Sequence, residues 1–105
     1  MSIQEITDEN FQEKVLKNSN PFCLKFEADW CGPCKALTPI VSEISDEMTD
    51  IDFGSMNIDN HPNTPTQYGV RGIPTCILVV GGELKSTKVG MTKKTDFVSW
   101  LKENI

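Results

Sequence analysis

Trp30-Cys31-Gly32-Pro33-Cys34-Lys35 stands where a short apolar run gives way to a long amphipathic one, and its reading decides the fold. The run before it, Phe22-Cys23-Leu24-Lys25-Phe26-Glu27-Ala28, is bounded by Asn20-Pro21 and reads as a strand. After it, Leu37, Ile40, Val41, Ile44 and Met48 recur at helical spacing, so one face of a helix is apolar. Cys34 lies three residues before Leu37 and shares that face. Cys31 falls at the N-cap or first turn, where backbone N–H groups lack intrahelical partners. Those donors and the helix dipole stabilise an anion, so a thiolate is favoured at Cys31. One turn of helix brings the two sulfurs within bonding range. The expected chemistry is thiol–disulfide exchange: Cys31 attacks a substrate disulfide, and Cys34 then attacks Cys31 and frees the reduced substrate. Gly32 admits a partner backbone, and Pro33 stiffens the turn without losing a needed donor.

A lone C-x-x-C can also be half of a structural zinc site, which needs four ligands. The other candidates, Cys23, Cys76 and His61, are not paired at ligand spacing, so a redox dithiol without metal or cofactor is the expectation. His61, alone among turn residues, reads as a surface residue.

The chain resembles the thioredoxin family. The resemblance rests on WCGPCK, Phe11, Pro39, Asn57-Ile58-Asp59, the run Tyr68-Gly69-Val70-Arg71-Gly72-Ile73-Pro74-Thr75, and Lys88-Val89-Gly90, and it covers nearly the whole chain. It implies an α/β thioredoxin fold: a central mixed five-stranded sheet with the Cys23 strand in the middle and about four helices over both faces. It also implies a cis Ile73-Pro74 bond beside the cysteine pair, with the Ile73 backbone offered to an extended substrate segment. Trp30, Gly32, Pro33, Gly72, Ile73, Pro74, Val89, Gly90 and Met91 are then expected to surround Cys31 as a weakly apolar docking surface. No nucleotide or flavin motif is present, so electrons are expected from a partner, thioredoxin reductase, an NADPH/flavin enzyme. The clients are disulfide-containing proteins.

Three positions depart from the family's pattern. Lys25 stands where a buried aspartate is usual, Glu27 where a tryptophan is usual, and Ser55 where a lysine is usual. Lys25 and Glu27 are two apart on a strand and share a face, so an ion pair beneath the motif is expected. Glu27, or a Lys25 neutralised by burial, would take the Cys34 proton. Alternatively a charged Lys25 stabilises thiolate, each pKa unit amounting to about 1.4 kcal/mol, or roughly 30 mV toward a more oxidising potential. A third reading has Lys25 snorkel to solvent.

Length and composition bound the rest. The 105 residues make one domain, residues 1–105, able to bury about two-thirds of its unfolded surface. The net charge of −5 carries no basic stripe, so nucleic acid is not an expected partner. No stretch approaches a membrane span, and Met1-Ser2-Ile3-Gln4-Glu5-Ile6 lacks the pattern of a secretory signal. A cytoplasmic monomer is expected, with Cys23 and Cys76 as buried hydrophobes or, alternatively, a regulatory thiol.

The remaining elements follow in order. Ile3 to Ile6 reads as a strand, and a helix capped by Thr7-Asp8 is anchored by Phe11 and Val15. Asp52 to Ile58 is a strand, Asp59 to Pro65 a turn-rich stretch and Thr66 to Val70 a short helix. Thr75 to Val80 is a strand buried on both faces, Gly81-Gly82 a hairpin turn and Glu83 to Val89 an edge strand. Thr92 is expected to cap a last helix packed through Phe97, Trp100, Leu101 and Ile105. Besides a general reductase, a specialised oxidoreductase with a shifted potential and a binding subunit on the same scaffold stay open.

Overall fold

The computed structural model describes residues 3–105; Met1 and Ser2, part of the run read for a signal, lie outside the described residues. A five-stranded mixed sheet runs through it: β1 (Ile3–Glu5), β2 (Phe22–Glu27), β3 (Asp52–Asn57), β4 (Thr75–Val80) and β5 (Glu83–Val89), in the order β1-β3-β2-β4-β5. The β2 strand is central, parallel to β3 and antiparallel to β4. Being covered on both faces, it reads as an apolar run with two exceptions, Lys25 and, at its end, Glu27.

The helices are a short π-helical segment α1 (Gln12–Leu16), α2 (Gly32–Glu47), α3 (Asn63–Gln67) and α4 (Lys94–Asn104). Strand alternation splits the core into two layers. Cys23, Phe53, Cys76 and Leu78 pack with Leu37, Val41 and Ile44 of α2 and with Phe97, Trp100 and Leu101 of α4. Phe22, Leu24, Phe26, Met56 and Ile77 pack on the other side with Phe11, Val15 and Tyr68. Pro39 lies inside α2 and lacks the N–H that would reach back to Lys35, yet the helix continues through it.

Three local expectations need correction. The first helix has Phe11 at its N-cap without a side-chain cap; the turn before it is closed by a reciprocal pair, Asn10 N–H on Thr7 Oγ1 and Thr7 N–H on Asn10 Oδ1, without Asp8. Asp8 instead accepts the amides of Asn63 and Thr64 and the Thr64 hydroxyl, so α3 starts at Asn63, inside the stretch read as turns. Pro65 is tolerated there because a first-turn N–H has no helical partner. Thr92 does not cap α4; Lys93 occupies the N-cap without a side-chain cap. Lys94 ties α4 to α2 by pairing with Glu43 and Glu47.

Candidate active site

The site lies at the C-terminal end of β2, where the chain turns into α2. Cys31 is the N-cap, with extended backbone (φ −91°, ψ 106°), and its carbonyl accepts the Lys35 amide at 3.3 Å. Its Sγ accepts the Cys34 amide at 3.2 Å, so sulfur fills the place of a capping oxygen. Cys34 begins the buried face of α2. The two are disulfide-bonded with Cα atoms 5.3 Å apart. Both pack against Ala28, Ile58 and Ile73, leaving Cys31 only 4% exposed and Cys34 1%. In the disulfide Cys31 is nearly covered, because it shares that apolar nest with its partner.

The surroundings of the pair are open. Trp30 is 69% exposed, and its Nε1 donates to Asp59 Oδ2 at 2.8 Å. Gly32, Pro33, Gly72, Val89 and Met91 are exposed, and a Cβ at Gly32 or Gly72 would meet nothing within 4 Å. The Ile73–Pro74 bond is cis. Thr75 Oγ1 donates to the Gly72 carbonyl at 2.6 Å, and Gly90, at φ 89°, donates its amide to the Pro74 carbonyl at 2.8 Å. Only glycine adopts that φ without strain, so Gly90 closes the loop onto the end of β5.

Beneath the pair, Lys25 does not snorkel. Its side chain is 3% exposed, and its Nζ lies 2.8 Å from Glu27 Oε1. The Nζ also donates to Thr38 Oγ1 at 2.6 Å and reaches the Cys34 carbonyl at 3.5 Å. Lys25 is in register with Ser55 on β3 and Cys76 on β4. Serine fills little of the space beside it, and a cavity of about 130 Å³ remains between Lys25, Glu27, Thr38, Ser42 and Ser55. The lysine's room thus comes from the residue that replaces the family's usual lysine. Thr38, and the contact of Asp59 with Trp30, were not anticipated from sequence. Thr38 carried a weak signal, a hydroxyl four residues after Cys34 that can bond back to its carbonyl. Asp59 carried none, because its partner Trp30 is distant in the chain.

A sequence profile of thioredoxins matches residues 2–103. The chain belongs to the thioredoxin family. A thioredoxin from Rickettsia prowazekii (strain Madrid E) is 43% identical over 104 residues, covering 98% of this chain and 99% of the relative. One from Allochromatium vinosum is 44% identical over 104 residues, covering 98% and 97%. One from Acidithiobacillus ferridurans is 46% identical over 101 residues, covering 95% and 94%. With its disulfide-forming cysteine pair, this member of the family is a dithiol–disulfide oxidoreductase.

Cys23 and Cys76 lie on the same face of adjacent central strands, each 1% exposed. A hydrogen bond with Cys76, then burial, pushes the Cys23 thiol well above its ordinary range. His61 is half-buried, and its Nδ1 accepts the Asp8 amide at 3.4 Å. No described helix is long and apolar enough to cross a membrane.

Proposed function

We propose that Cys31 is the attacking sulfur and Cys34 the resolving one. The observation that carries this is the N-cap: Cys31 Sγ already accepts the Cys34 amide, so a thiolate there meets a donor in place. Cys31 thiolate attacks one sulfur of the client disulfide, and the other leaves as a thiolate. Cys34, once deprotonated, attacks Cys31 Sγ, the mixed disulfide breaks, and the client departs with both electrons. Client segments lie extended over Trp30, Gly32 and Pro33 and along Gly72-Ile73-Pro74, bonding the Ile73 backbone by strand addition, with Gly90 and Met91 at the far edge. This is supported by the way Ile73 packs against both cysteines while its neighbour Gly72 stays open.

Lys25 and Glu27 serve the second step. The ion pair at 2.8 Å supports a charged lysine that favours Cys34 thiolate. Glu27, the more exposed member, is the exit for the Cys34 proton. Electrons return from a flavin-dependent thioredoxin reductase drawing on NADPH, and the protein works as a monomer in the cytoplasm.

The test is Cys34→Ser protein mixed with an aromatic disulfide of 2-nitro-5-thiobenzoate. One thiolate should be released, leaving a stable mixed disulfide on Cys31, whereas the parent releases two. If the label is instead held at Cys23 or Cys76, the assignment is wrong.

A further inference from the structure

Thr38 sits on the exposed side of α2, yet its hydroxyl is the junction between a buried charge and the resolving cysteine. Thr38 Oγ1 accepts from Lys25 Nζ at 2.6 Å and donates to the Cys34 carbonyl at 3.0 Å. A threonine in a helix commonly makes the second of these bonds; the first depends on the lysine at position 25. The contact with Thr38 is shorter than the Lys25–Glu27 ion pair at 2.8 Å, and it ties the ammonium to a different element, α2. Glu27 holds it from β2, and Thr38 holds it from α2 beside the Cys34 carbonyl. The cavity of about 130 Å³ beside it gives the ammonium room to move if one of these contacts is lost.

We propose that Thr38 is a positioning residue for the resolving step, holding the Lys25 ammonium close to Cys34 so that its charge favours the Cys34 thiolate. This rests on the assignment of Cys34 as the resolving sulfur. The titratable groups around Cys34 are Cys31 and the adjoining, exposed Lys35 on its own helix, Lys25 and Glu27 on β2, and Cys76 on β4, which pairs with Lys25. On β3 the facing residue is Ser55, which is neutral, and Asp59 just beyond that strand is held by Trp30. Lys25 is thus the buried cation of the group, and its distance from Cys34 sets how strongly it acts.

The step is a single displacement. Deprotonated Cys34 Sγ, its proton having left through Glu27 to solvent, attacks Cys31 Sγ. The Cys31–Cys34 bond forms, the bond from Cys31 to the client sulfur breaks, and that sulfur leaves with the electron pair.

The experiment is stopped-flow release of 2-nitro-5-thiobenzoate from its symmetric disulfide by reduced protein across pH. The first thiolate reports attack by the nucleophile and the second reports resolution. In Thr38→Val, which keeps the shape and has a similar helix propensity, the pH midpoint of the second release should rise by about one unit. At fixed pH below the midpoint, tenfold less thiolate, offset by its greater nucleophilicity, should slow that release about threefold. Thr38→Ser should restore the parent profile. In a Lys25→Met background, Thr38→Val should add no further shift. A parent midpoint in Thr38→Val, a shift of equal size in Thr38→Ser, or an undiminished shift without Lys25 would each overturn the proposal. A failure of the cysteine assignment is read separately, in the Cys34→Ser protein and without any variant of Thr38.

Discussion

Lys25 Nζ stands 2.8 Å from Glu27 Oε1, and the two ends of this ion pair are unequally desolvated: the lysine side chain is 3% exposed and the glutamate 31%. Removing one end is therefore not equivalent to removing the other. Glu27→Gln leaves a buried ammonium with only Thr38 and the Cys34 carbonyl, and should destabilise the fold by about 2–3 kcal/mol. Lys25→Met leaves a carboxylate that can turn to water and places a flexible apolar chain in the pocket, so its cost should be under about 1 kcal/mol. Urea denaturation of both variants measures the difference. Equal losses would mean that the burial of the lysine does not govern the pair.

Asp8 predicts an acid limb in the stability curve. Burial alone would raise its pKa, but the Thr64 hydroxyl, the amides of Thr64 and Asn63 and nearby His61 outweigh that and leave it lowered. A carboxylate with a depressed folded value adds stability that is present above the unfolded value and lost as pH falls through the folded one. Asp8→Ala should therefore be less stable than the parent at neutral pH, and the gap should close as the solution is acidified past that point. Thermal unfolding from neutral to strongly acidic pH checks this. A gap that stays constant with pH would show that the carboxylate charge is not what holds α3.

Gly54 is a packing prediction. A Cβ there would lie 2.8 Å from Ile6 Cγ1, 2.9 Å from the Phe22 ring and 3.0 Å from the Gln4 carbonyl oxygen. Two of these neighbours are fully buried side chains and the third is backbone, so none gives way easily. Gly54→Ala should cost about 1–3 kcal/mol, measured by denaturant titration.

The second thiol pair gives a labelling prediction. Cys23 and Cys76 are covered, and the Cys23 thiol is held well above its ordinary range by its bond to Cys76 and by burial. Folded, reduced protein should react fastest at Cys31, whose thiolate meets the N-cap donor, with Cys23 and Cys76 reacting only on unfolding. Peptide mapping after timed alkylation decides it, and fast modification of Cys76 would contradict the packing of β4.

The sequence by itself determined the strands, the long helix, the placing of Cys31 at that helix's start and the sharing of one face by Lys25 and Glu27. Each is a short-range property: strand period, helix period, turn chemistry and spacing need only neighbouring residues. The family pattern added the central position of β2 and the cis bond before Pro74. What only the tertiary structure decided is where polar side chains find partners. Lys25 turns inward because Ser55, on a strand that joins it only through the sheet, leaves space. Asp8 caps a helix 55 residues away, which is why α3 begins where local signals read turn. Thr38 meets Lys25 across 13 residues because α2 lies over β2. A buried polar atom takes the partner that the fold brings within about 3 Å, and no local period encodes which one that is.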